Sequence, residues 1–248
     1  MTSTYRALVE VLGRRIGQPA QLVDGTSLDQ LRHGLVDAAV VCGLPYVRLE
    51  AESPDTLRPL AAPVLQEEPS GRPVYFSEVV VRAGTQYRHF GDLRGARWAH
   101  TDAGSFSGYI ATRYELVLMG ESEAFFGQVL YAGSHRGAIR MVLDGQADAA
   151  AIDSHVLSVE RQGDADLHRL RVIARFGPAP APPIVATRRL PFALGSRICD
   201  ILCALDAGDP AYAFLKAGRI RRFLPVSDGD YDDIRRKLDA VERSGAPV

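Results

Sequence analysis

Long apolar runs are missing from this chain of 248 residues, and no window reaches the roughly 18 residues that a membrane-spanning helix requires. Integral helical membrane proteins are excluded. Cysteine is scarce, with only Cys42, Cys199 and Cys203. Three thiols cannot all pair, and Cys199 and Cys203, one helical turn apart, make a poor structural disulfide, so all three are expected to be small buried hydrophobes. Excess charge is also absent: 29 Lys and Arg face 30 Asp and Glu, for a net of -1. That removes bulk attraction to nucleic acid or anionic membrane, so any anion site must be local. The histidines at 33, 89, 100, 135, 155 and 168 are dispersed, without HExxH or CxxC spacing, and no metal or cofactor is expected. P-loop and GxGxxG patterns are missing as well. What is present is a globular composition, 46% hydrophobic and 24% charged, long enough for one large domain or two modest lobes.

Tyr5, Leu8, Val9, Leu12 and Ile16 recur at the 3.6-residue period, which predicts an amphipathic helix ending near Gly17 and Pro19. Arg6, Glu10, Arg14 and Arg15 interrupt it, so the opening segment lacks the continuous apolar core of a secretory leader. A short strand over 21–23 is expected next, then a helix capped by Ser27 that carries Leu28, Leu31 and Leu35. The run Ala38 to Cys42 predicts a strand buried on both faces. Further strands are expected at 74–81, 96–100, 127–131, 147–152, 170–176 and 184–187, with helical patterns between most of them. This alternation predicts an α/β fold of parallel sheets and crossover helices. Residues 176–183 hold four prolines in eight positions, which forbids helix and marks an extended connection between two bodies. Tyr231, Ile234, Leu238 and Val241 share one face of a terminal helix. The basic clusters 219–222 and 235–237 read as solvated helix faces.

The most informative stretch is Asp102-Ala-Gly-Ser-Phe-Ser-Gly-Tyr109, which joins a predicted strand to a helical pattern. A helix start offers unpaired backbone N–H groups and a positive dipole end, and Ser105 and Ser107 add hydroxyls suited to oxyanion oxygens. Helix capping by either serine accounts for the same residues. The stretch is not a G-x-S-x-G nucleophile elbow, because Phe106 holds its central position. Gly133-Ser-His135 repeats the design at a second strand-to-helix turn, where His135 can donate to an oxyanion, act as an acid/base group or satisfy a local bond. Asp153 ends an apolar strand and either caps the next helix or faces a cleft. Tyr46, Tyr75 and Ser77 stand at strand ends or faces, where tyrosines usually pack in the core with a polar tip. A Ser107, His135 and Asp153 hydrolase triad is conceivable, but the spacing does not require their contact.

Val41-Cys-Gly-Leu-Pro-Tyr46, Pro73-Val-Tyr-Phe-Ser77, Asp92-Leu-Arg-Gly95, Ser105-Phe-Ser-Gly108, Gly133-Ser-His135, Asp144 to Asp153 and Tyr231-Asp-Asp-Ile-Arg235 follow one another in a characteristic order. In that order the chain resembles the phosphate/phosphonate-type substrate-binding proteins of ABC transporters, from Tyr5 to about Leu238. The resemblance implies a two-lobed type 2 periplasmic-binding-protein fold, with lobe one at residues 1–80 and 184–248 and lobe two at 81–183. It implies a non-catalytic receptor that closes over a small oxyanion and delivers it to a permease, without a cofactor, nucleic acid or membrane insertion. A sensory domain or an enzyme on the same fold are the alternatives. Its implied ligand residues are Tyr46, Tyr75, Ser77, Ser105, Phe106, Ser107, Gly108, His135 and Asp153. Phe106 stands where phosphonate binders are rich in hydroxyls, so one donor is expected to be lost and an apolar surface gained. Such proteins begin with a leader and a hydrophobic strand ahead of the first helix, so a beginning is expected to be missing here. A periplasmic location follows from the resemblance, and a cytoplasmic one if the start is genuine.

Overall fold

Helix and strand alternate along the chain in the computed structural model, which describes residues 2–25, 27–209 and 212–245. In order, the elements are α1 (Thr2–Ile16), α2 (Asp29–Arg32), β1 (Ala38–Val40), α3 (Gly43–Glu52), β2 (Leu57–Leu65), β3 (Val74–Arg82) and β4 (Arg97–His100). A π-helix at Phe106–Ile110 runs into α4 (Ala111–Leu118), followed by β5 (Gln128–Tyr131), α5 (His135–Leu143), β6 (Ala149–Asp153) and α6 (Ser154–Gly163). The remainder is β7 (Leu170–Pro180), β8 (Ile184–Thr187), α7 (Phe192–Cys203), α8 (Tyr212–Ala217), β9 (Ile220–Pro225) and α9 (Asp232–Arg243). Two units result, Met1–Val74 with Pro180–Asp232, and Tyr75–Ala179 with Asp233–Val248.

Unit one is built on a four-stranded sheet in the order β1-β8-β2-β9. Each neighbouring pair is antiparallel, not parallel as the helix–strand alternation suggested. Leu8 and Val11 of α1, Ile198 and Leu202 of α7 and Leu215 of α8 cover Leu60, Ile184, Ile220 and Phe223 of the sheet. Burying each such side chain stabilises the unit by about 1.5–3 kcal/mol.

Several local expectations fail in this unit for identifiable reasons. Residues 21–23 form no strand, because β1 is the edge of the sheet and no described strand pairs with its outer side; Val23 stays 50% exposed. The helix expected through Leu35 stops at Arg32, since Gly34 turns the chain at φ 61°, and Leu35 is left in solvent. As an edge strand β1 is not buried on both faces, and Cys42 beyond it is exposed rather than buried. Arg221 and Arg222 lie on strand β9 rather than on a helix, and their guanidinium groups donate to the carbonyls of Gln66, Glu68 and Gly71.

Unit two carries a five-stranded sheet in the order β5-β4-β6-β3-β7. Here β4 runs parallel to β5 and β6, while β3 is antiparallel to β6. One face, with Val80, Ala99, Ala150 and Ile152, packs on Ala138, Ile139 and Val142 of α5 and Leu157 of α6. The opposite face carries an aromatic cluster in which Trp98 stacks on Phe126 at 4.7 Å and Phe90 on Phe125 at 5.5 Å. The proline-rich segment is partly strand, since β7 runs on through Pro178 and Pro180. Proline is tolerated there because β7 is an edge strand with no further ladder to supply. From Asp233 onward α9 belongs to this unit and buries Ile234, Leu238 and Val241.

Candidate functional site

Strand order alone marks a candidate site in unit two. The chain leaves β4 for β5 on one side and then crosses back to β6 on the other, a topological switch point. In such sheets the crevice lies beyond the carboxyl ends of the parallel strands. Those ends are His100, Tyr131 and Asp153, and the turns that follow hold the two small-residue motifs.

The first turn is fixed by its own polar groups. Asp102 accepts the Gly104 N–H at 2.7 Å, and Ser105 caps the π-helix by accepting the Gly108 N–H at 3.0 Å. The i→i+5 bond from Ile110 N to the Ser105 carbonyl widens this first turn, and π-turns of this kind are frequent at functional sites. Ser77, paired opposite Asp153, donates its hydroxyl to the Ser107 carbonyl at 2.6 Å in a buried contact. Ser77 therefore holds the turn with its only proton. At the second turn Ser134 accepts the Gly137 N–H at 3.0 Å and caps α5. The N–H groups of Phe106 and Ser107 in the first turn, and of His135 and Arg136 in the second, have no acceptor among the described residues.

His135 joins the two turns. Its Nδ1 accepts the Asp153 backbone N–H at 3.3 Å, which assigns the ring proton to Nε2, and Nε2 points at the Ser107 hydroxyl 3.4 Å away. Burial holds the His135 pKa below its ordinary value, against the opposing pull of the Asp153 and Asp102 carboxylates. The ring is thus a neutral donor. Asp153 does cap α6, with Oδ1 accepting the N–H groups of His155 and Val156. Because it meets His135 through its backbone N–H and not its carboxylate, the orienting bond of a hydrolase triad is missing.

Of the residues singled out from the sequence, unit two gathers Ser77, Ser105, Ser107, Gly108, His135 and Asp153 around these turns. Gly108 is required by close approach, since a Cβ there would stand 2.2 Å from the Thr101 hydroxyl. Phe106 does not add an apolar surface to the turn: it is 3% exposed, and its ring centroid lies 5.8 Å from the Lys237 ammonium of α9. An apolar ring gains more inside, which leaves the open side of the turn to hydroxyl and amide groups. Tyr75 opens unit two as a buried residue of β3. Tyr46 belongs to unit one, fully buried, edge-on to Tyr231 at 5.0 Å, with its hydroxyl donating to Asp228 at 2.6 Å. Thr101, 1% exposed with an unpartnered hydroxyl, is a member of the site that sequence reading passed over. Among the described residues no group of His, Cys, Asp and Glu side chains could hold a metal ion, and no helix is long and apolar enough to cross a membrane.

A family model described as the periplasmic substrate-binding protein of phosphonate ABC transporters matches residues 1–231. A binding-protein component of an ABC phosphonate transporter from Pseudomonas aeruginosa superposes with a TM-score of 0.83 at 17% identity, over 98% of this chain and 82% of that one. PhnD1 from Prochlorococcus marinus, solved with methylphosphonate, gives 0.83 at 17% over 96% and 93%. XAC2383 from Xanthomonas citri, bound to chloride, gives 0.75 at 20% over 98% and 94%. At these identities the likeness establishes the fold, that of type 2 periplasmic binding proteins, as the sequence motifs implied.

Proposed function

Since the chain belongs to the periplasmic substrate-binding family of phosphonate ABC transporters, we propose that it captures a small tetrahedral oxyanion, phosphonate- or phosphate-like, on the two turns of unit two. One observation carries this reading: four unpartnered backbone N–H groups and a neutral Nε2–H converge on helix starts tied together by the Ser107–His135 contact. Helix N-termini hold anions by this combination of free donors and dipole. The one arginine of these turns, Arg136, has its guanidinium paired with Glu160, so no unpaired cationic side chain adds a permanent countercharge, which suits a receptor that must also release. Asp153, whose Oδ2 makes no hydrogen bond among the described residues, accepts from a protonated ligand oxygen or an amine substituent. The partner that receives the ligand is an ABC permease, and the site of capture is the periplasm. The protein acts as a carrier, not an enzyme.

Calorimetric titration with methylphosphonate tests the assignment. A hydrogen bond to a charged group is worth about 1.5–3 kcal/mol, so His135→Ala and Ser107→Ala are each expected to weaken binding by roughly 10- to 150-fold. Circular dichroism should show both variants folded. Unchanged affinity in folded His135→Ala would place the ligand elsewhere.

A further inference from the structure

Tyr131 ends edge strand β5 and is 69% exposed, second only to Phe192 among the large hydrophobic side chains of the described residues. It does not project at random. Its hydroxyl lies 3.6 Å from where a Cβ on Gly133 would stand, so the phenol runs along the turn that leads to Ser134 and His135. That turn is pinned to the neighbouring strand end, with Ala132 N–H on the His100 carbonyl at 2.8 Å and Gly133 N–H on the Thr101 carbonyl at 3.1 Å. Behind Tyr131 stands the His100 ring at 5.6 Å, and behind that the Tyr109 ring of the π-helix at 5.2 Å. Three rings, each tilted by 50–57° to the next, thus form a staggered layer from the solvent edge of the site to the first oxyanion turn. The layer is fixed at its inner end, where the buried Arg113 guanidinium lies 4.0 Å over Tyr109, donates to its hydroxyl and pairs with Glu123.

Burial first, and then the nearby Arg113 cation, keep His100 below its ordinary pKa, so its ring is neutral. One face of the Tyr109 ring is covered by Arg113. Arg113 is paired with Glu123 and the Asp102 carboxylate opposes it at His100, so what the layer offers to a substituent is the open face of the exposed Tyr131 ring.

Building on the assignment of the oxyanion to the two turns, we propose that Tyr131 is the wall of a substituent subsite and selects phosphonates that carry a flat ring. Calorimetry with methylphosphonate and phenylphosphonate, on the wild type, Tyr131→Phe and Tyr131→Ala, tests it. Aromatic pairing in this range predicts that the wild type prefers phenylphosphonate by about three- to tenfold. Tyr131→Phe keeps the preference, and in Tyr131→Ala the ratio of the two dissociation constants falls to about one, as loss of the stacking partner requires. Methylphosphonate bound as tightly as phenylphosphonate by the wild type, or a preference that survives in Tyr131→Ala, overturns the subsite while leaving the oxyanion site intact. Failure of the wild type to bind either phosphonate overturns the oxyanion reading itself, and the subsite with it.

Discussion

His135, proposed above as a ligand donor, also bears on stability. Its Nδ1 is committed to the Asp153 backbone N–H, and burial pushes its pKa below the usual 6.5. Between the folded and unfolded values the unfolded chain binds more protons, so stability rises with pH across that window. Its contribution is complete above about pH 6.5 and is lost as pH falls towards the folded value. His100 acts in the same direction, through burial and then Arg113. The expected result is a urea midpoint that is flat from pH 8 to 7 and declines below about pH 6.5. His135→Gln, which cannot titrate, should decline less steeply and keep the remainder that belongs to His100. Parallel curves for the two proteins would remove His135 from the titration.

At the scale of an element, the π-helix at Phe106–Ile110 depends on a tight fit between its own Gly108 and Thr101, which follows the end of β4. A methyl on Gly108 would stand 2.2 Å from the Thr101 hydroxyl and 2.7 Å from its Cγ2. Gly108→Ala is therefore expected to cost about 1–3 kcal/mol through overpacking. Removing the obstruction in Thr101→Gly/Gly108→Ala should recover part of it, as a coupling of at least ~0.5 kcal/mol in a double-mutant cycle read from denaturant unfolding. Additive costs would mean that the clash is relieved elsewhere. This contact also marks the limit of what sequence reading could reach. Strands 74–82, 97–100 and 184–187 were legible because apolar runs bounded by turn residues are a local signal. β2 was not, since Pro59 and Pro63 argue against a strand, yet it is held between β8 and β9 by pairing across distant segments. Ser105, Ser107, His135 and Asp153 could be singled out as candidates because strand, small-residue turn and helix start follow one another in the chain. Thr101 and the inward turn of Phe106 could not, because the first is set by its close approach to Gly108 and the second by burial in unit two, both of which only the fold supplies.

At the scale of the whole molecule, the two units have separate hydrophobic cores, one around α1, α7 and β9 and the other around α5 and β6. The free N–H groups and His135 all belong to unit two. A ligand bound only by the folded state stabilises it by about 2.7 kcal/mol at a hundredfold excess over its dissociation constant. For a chain of this size that is a rise of roughly 5–10 °C in melting temperature. Methylphosphonate, phosphite and phosphate are the compounds expected to produce it, in a thermal melt followed by calorimetry. If the melt resolves into two transitions, the rise belongs to the one in which unit two unfolds. Leu202→Ala, which opens a cavity in unit one at a cost of about 2–5 kcal/mol, should lower the other transition. A rise confined to the transition that Leu202→Ala moves would place the ligand on unit one. No rise with any of the three anions, in a sample that melts cooperatively, would mean that free N–H groups and a neutral histidine are not enough to hold a tetrahedral oxyanion here.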